Sequence, residues 1–218
     1  MSSTETLGVR ERKKQRTRQT IVEVGVRLFA ERGYAETTLV DIAAAVEVAP
    51  STFFNYFSSK LDIVFGLMDA IIESAQERIL ERDPDESATD AVLAWITGDL
   101  AAVELPYGEA MRSIPAIVAS DAELRSSERL KLALLEDVLA AAYARDLGES
   151  PDGIHARVMA VIALRGMAEV WTSWYEQHGS DPDFNSSETF ALKVAYLAPA
   201  LATGLQAIAL LPRSPTHR

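Results

Sequence analysis

Cysteine is absent from all 218 residues. That excludes disulfides, thiolate nucleophiles and cysteine-held metal at once. Histidine is scarce, and His155, His178 and His217 are too scattered to suggest a metal cluster. No metal or cofactor is therefore expected. No apolar run reaches the roughly 18 residues that a membrane span needs. The N-terminus MSSTETLGVRERKKQR is charged but lacks the apolar h-region of a secretory signal. The expectation is a cytoplasmic chain without membrane contact. There is no Gly-rich phosphate loop, no H-E-x-x-H and no His–carboxylate constellation at useful spacing, so a helical enzyme is poorly supported. Strand-type alternation bounded by turn signals is missing too.

What is present is an all-α pattern. Apolar residues make up 48% of the chain, enough for a sizeable core in one or two domains. Ala, Leu, Glu and Arg dominate, with apolar positions recurring every three to four residues. Nine helices are expected. The first runs over about 10–31, with Ile21, Val24, Leu28 and Phe29 inward and Gly33 as its stop. Thr38-x-x-Asp41 opens the second as a capping-box variant, with Ile42, Ala43 and Val46 inward. Glu47-Val48-Ala49 forms a turn into Pro50, which begins a third helix ending near Phe57. Ser59-x-x-Asp62 starts a fourth helix spanning about 59–82. DPDES at 83–87 is a candidate domain joint, and Ser87-x-x-Asp90 caps the fifth. A short sixth covers about 107–119 around Pro115. Ser120-x-x-Glu123 caps a seventh to about Asp146, the eighth covers about 154–177, and Asn185-x-x-Glu188 caps the ninth, to about Leu211. Residues 1–9 and 212–218 read as unstructured. The implied layout is a helical domain over 10–58, a connecting helix over 59–82 and a larger helical domain over 83–211.

Charge is unevenly spread. The chain carries 21 Lys and Arg against 32 Asp and Glu, a net −11. Residues 1–60 nevertheless hold nine basic and seven acidic groups, and 10-RERKKQRTR-18 has six basic groups against one Glu. A local basic patch, not the total charge, sets phosphate binding.

The stretch 48-VAPSTFFNYFSSK-60 places four rings within five positions. On a helix Phe53 and Phe57, spaced i, i+4, share one face and anchor the core. Ser51, Thr52, Phe54, Asn55 and Tyr56 remain for another face. Helix, tight turn, helix over 38–57, behind a packing helix, is the arrangement that presents its second helix to a DNA major groove. Asn pairs with adenine, Ser and Thr hydroxyls reach bases or phosphates, and Phe contacts a thymine methyl. Tyr56, Lys60 and Thr38 suit phosphate.

The segment 21-IVEVGVRLFAERGYAETTLVDIAAAVEVAPSTFFNYFSSKLDIVFGLM-68 resembles the N-terminal domain of the TetR family of bacterial one-component regulators. The LFAERGY, T-x-x-D-I-A and T-F-F-x-Y-F-x-S-K elements occur in order at family spacing. The remaining 150 or so residues resemble the family only in length and helicity. The resemblance implies a nine-helix, all-α homodimer whose three N-terminal helices bind a palindromic DNA operator and whose C-terminal helices form an effector pocket and the dimer interface. It carries DNA-contact roles to Thr38, Thr52, Phe54, Asn55, Tyr56 and Lys60. Two departures stand out. The family's turn usually has Gly where this chain has Glu47, and the usual Ser or Thr cap of the third helix is Ala49. Each is expected to cost about 1 kcal/mol.

In the acidic remainder, Val158, Ile162, Arg165 and Glu169 of the eighth helix are interface candidates. Leu192, Tyr196, Ala200, Thr203, Gly204 and Ala207 of the ninth join them. Trp95, Tyr107, Met111, Trp171, Trp174 and Tyr175 supply rings and a sulfur for a small, largely apolar effector. The implied function is a transcriptional repressor released by that effector, with helix 59–82 as the lever. A DNA-binding regulator without an effector is the alternative.

Overall fold

The computed structural model describes residues 8–100 and 108–178, with residue 199 alone beyond them. Among the described residues every regular element is helical: α1 Val9–Arg32, α2 Leu39–Ala45, α3 Pro50–Phe54, α4 Lys60–Ala75, α5 Ala88–Ala94, α6 Gly108–Ser120, α7 Ala122–Leu147 and α8 Ile154–His178. The all-α expectation holds. The expected ninth helix and the two tails lie outside the described residues, apart from Gly8, Val9 and Pro199. Two helices continue in a wider π-helical turn, α4 through Gln76–Leu80 and α5 through Trp95–Asp99.

Side-chain caps open four of these helices. Thr38 and Asp41 form a reciprocal capping box at α2, where Thr38 Oγ1 accepts from the Asp41 N–H and Asp41 Oδ2 accepts from the Thr38 N–H at 2.8 Å. Ser59 and Asp62 do the same for α4. Ser87 caps α5, accepting from the Asp90 N–H. The cap expected at Ser120 is displaced by one residue. Asp121 Oδ1 accepts from the N–H groups of Glu123 and Leu124, while Ser120 Oγ donates back to the Ile117 carbonyl. A carboxylate is the better acceptor beside a helix N-terminus, so it takes the position.

The chain divides into two compact units, Met1–Met68 with Pro106–Glu128, and Asp69–Leu105 with Arg129–Arg218. In the first, α1 packs against α2 and α6, and α2 against α3. Its core joins Ile21, Val26, Leu28, Phe29, Ile42, Phe53, Phe57 and Ile63 to Ile117 and Leu124 of the α6–α7 segment. The sequence pattern places that segment in the larger C-terminal domain; here it belongs to the first unit.

In the second unit, α5 packs on the wide turn of α4. Trp95, Ile79, Leu135, Leu139 and Tyr143 are fully buried. A buried charge crosses this core. The Arg82 side chain, 1% exposed, meets Asp146 Oδ1 at 2.5 Å and donates to the carbonyls of Ile79, Glu86 and Ala142. Asp146 Oδ2 in turn accepts from the Ala88 N–H that begins α5. One ion pair thereby ties the end of α4, the start of α5 and the end of α7.

Candidate nucleic-acid interface

Helix α3 is shorter than its sequence suggests. Pro50 sits in the first turn, and Ala49 provides only its carbonyl, which accepts from the N–H groups of Thr52 and Phe53. The helix stops at Phe54, with Asn55 as its C-cap; Tyr56 and Phe57 close a further turn on the Phe53 carbonyl. Ser58 and Ser59 then bind Asp62 and start α4, which leaves no room for a longer helix.

The rings separate as the i, i+4 spacing requires. Phe53 and Phe57 are 0% and 1% exposed. Phe54 is 50% exposed and makes an edge contact with Phe53, at 5.6 Å between centroids. Ser51, Thr52 and Asn55 are exposed beside it. Tyr56 is half-buried, packed against the core. Four side chains with base-reading chemistry thus share an open surface, and their helix is held from behind by two rings.

Thr38 and Lys60 are already engaged. The Thr38 hydroxyl donates to Asp41 Oδ2 at 2.6 Å, so a phosphate contact from Thr38 must take over that hydrogen. These hydrogen bonds hold the Asp41 carboxyl below its usual value. Lys60 Nζ donates to the Tyr34 carbonyl at 2.6 Å and lies 4.3 Å from the centre of the Tyr34 ring. It also reaches the Ala35 carbonyl at 3.5 Å, which leaves at least one of its three donors for phosphate. The Tyr34 phenol is pushed up to about 12 by burial, with the charges of Glu123 and Asp121 adding to it.

Sequence reasoning placed Arg18 in a basic arm and missed its packing role. Its guanidinium lies 4.7 Å from the centre of the Phe57 ring and reaches the Tyr56 carbonyl at 3.5 Å. It occupies the space left by Gly66 in α4, where an added Cβ would come within 2.8 Å of Arg18 Nη2. A glycine in mid-helix, otherwise unfavourable, was the available signal.

Glu47 adopts φ 57°, which makes it the residue other than glycine with positive φ among the described residues. Its Cβ crowds the backbone there. We expect Glu47→Gly to stabilise the protein by about 0.5–1 kcal/mol, the relief of strain less the greater entropy loss of glycine. The check is a rise in urea midpoint at unchanged m-value.

Of the expected effector residues, Trp95 is buried in the second unit and its indole N–H donates to Ser74 Oγ at 2.9 Å. Tyr107 lies outside the described residues. Met111, Trp171, Trp174 and Tyr175 sit on α6 and α8, but their side chains lie outside the described part. The α8 interface candidates fall on an open face. Ile154, Val158, Val161 and Ile162 are exposed apolar residues, followed by an exposed Arg165–Glu169 pair at 2.7 Å. The ninth-helix candidates lie outside the described residues. Among those residues no acidic or histidine cluster suits a metal, and no helix is long and apolar enough to cross a membrane.

Residues 21–67 match the family model of bacterial regulatory proteins, tetR family. The regulator TcmR of Streptomyces glaucescens is 38% identical over 85 residues, 39% of this chain and 38% of that protein. The repressor DhaR of a Mycobacterium species is 49% identical over 43 residues, 20% of this chain and 22% of its own. These matches thus span well under half the length of either relative. Among solved structures, Salmonella enterica GusR superposes with a TM-score of 0.58 at 18% identity, covering 88% of this chain and 95% of its own. The SmeT–triclosan complex gives a TM-score of 0.57 at 18% identity, covering 93% of this chain and 100% of its own. At such identity the structures speak for the fold, and the family signature rests on the N-terminal helices. Residues 21–67 thus carry the signature of the tetR family of bacterial regulatory proteins, and the chain shares its all-α fold with these solved structures.

Proposed function

We propose that the chain is a sequence-specific DNA-binding transcriptional regulator, a homodimer that represses from a palindromic operator and is released by a small apolar effector. The observation that carries this reading is the exposure of Phe54 and Asn55 on α3 between two fully buried rings. A half-exposed phenylalanine beside an amide offers an apolar contact, and a thymine methyl in the major groove is a suitable partner for it. The names of the relatives, regulators and a repressor, support the regulatory role. Cytoplasmic location follows from a chromosomal partner.

A palindromic operator demands two copies, with recognition helices about 34 Å apart. The exposed apolar row on α8 supports such an association. We expect Val158→Glu together with Ile162→Glu to shift the protein toward monomer by sedimentation velocity. Unchanged association would place the interface elsewhere. The effector is supported more thinly, by the family and by the SmeT complex with triclosan. Its action would be to favour a dimer with mis-spaced recognition helices, against the matched spacing that DNA favours.

The deciding test is capture of fragmented source-genome DNA by the purified protein at fixed, near-physiological salt. Fragments sharing a near-palindrome are the expected result, and no enrichment over input would sink the reading. On the captured operator, Asn55→Ala should cost about 1–3 kcal/mol, measured by fluorescence anisotropy. An equal loss on all sequences would make Asn55 a phosphate or structural residue.

A further inference from the structure

We infer that the α2–α3 surface is built to read A·T pairs, with Val40 a second specificity residue beside Phe54. This rests on the DNA-binding reading above and names the bases that such a site would select.

From Gly33 to Ser59 the chain contains no lysine and no arginine. The commonest specific contact to guanine, a lysine or arginine on O6 and N7, is therefore unavailable from α2, the turn or α3. The flanking cations have other positions. Lys60 is held on the Tyr34 carbonyl and Arg18 over the Phe57 ring. Arg32 is in the last turn of α1, before the segment begins. Of the segment's three acids, Asp41 is held in the α2 capping box, Glu47 lies in the turn, and Glu36 precedes α2.

What the surface offers instead is apolar and amide chemistry. Among the described residues of the first unit, the exposed large apolar side chains are Val40, 67% exposed, and Phe54, 50% exposed; the others belong to the second unit. Both stand on the two helices of the helix-turn-helix, Val40 in the first turn of α2. Neither contributes to the core as Ile42 and Phe53 do. The thymine C5-methyl is the apolar group that the major groove presents, and an exposed Asn55 completes the pattern with adenine N6 and N7. Ser51 and Thr52 hydroxyls accept either base and do not reverse the bias.

The test begins with selection of operators from random duplexes by the full chain at fixed salt. The best half-site is then resynthesised with uracil for thymine, one position at a time, which removes a single methyl. Half-sites of A·T pairs at the contacted positions are expected. At two of them uracil should weaken binding about four-fold, the effect of burying one methyl. Val40→Ala should abolish the loss at one position and Phe54→Ala at the other. Both residues are exposed, so both variants should fold. Enriched half-sites with G·C at the contacted positions, or uracil substitutions without effect, would overturn this inference while sparing the DNA-binding reading. Failure to enrich any sequence would overturn both.

Discussion

Arg82→Ala is expected to destabilise the protein by about 3–5 kcal/mol, since it strips the partner from a buried charge pair. Its side chain is 1% exposed, and three carbonyls and Asp146 depend on it. Removing the guanidinium leaves a carboxylate that is only one-third exposed and several acceptors without a donor. Domains are typically stable by about 5–15 kcal/mol, so the loss is a large share of the whole. Urea unfolding followed by helix content measures it. Removing both charges should cost less than removing one, because no uncompensated charge then remains. We therefore expect Arg82→Met with Asp146→Leu to recover part of the loss. If Arg82→Ala cost less than about 1 kcal/mol, the pair would contribute little, and packing alone would hold α4, α5 and α7 together.

Phe53→Ala and Phe54→Ala, adjacent in sequence, should fail in opposite ways. Phe53 is fully buried, and its truncation should cost about 3–5 kcal/mol. The loss falls on the first unit, whose core holds α3. Phe54 is half exposed, so truncating it should cost about 1 kcal/mol or less, mainly the edge contact with Phe53. Operator affinity inverts the order. At a temperature where both variants are folded, Phe54→Ala should weaken operator binding several-fold while Phe53→Ala retains most of it. Thermal unfolding and anisotropy on the same samples make the comparison. Equal stability losses would mean that Phe54 is core and the outward reading of α3 is wrong.

The partition of the rings could be read from spacing, because i, i+4 positions on a short helix leave little choice of face. The caps at Thr38, Ser59 and Ser87 were legible for a similar reason: each pairs two side chains three residues apart. The end of α3 was not legible. Nothing in Asn55-Tyr56-Phe57 forbids a helix, and what ends it is competition from the Ser58–Asp62 and Ser59–Asp62 hydrogen bonds downstream. The position of Arg18 was hidden in the same way. A cation in a basic run looks like a phosphate ligand until its ring and its glycine are seen in space. The missing cations between Arg32 and Lys60 were visible from the start. They gain meaning once Val40 and Phe54 are known to be open.

The two wide turns, Gln76–Leu80 and Trp95–Asp99, have a consequence for comparing this chain with its relatives. A π-helical turn holds roughly one residue more than the α-helical ladder would, and each residue turns a helix by about 100°. A relative without the wide turn presents the same buried faces only if its chain is one residue shorter at that place. Alignments should therefore carry a single-residue gap within 76–80 or 95–99. Forcing the first gap closed would move Arg82 to the wrong column, and forcing the second closed would move Asp146; either would hide the ion pair from a comparison of sequences.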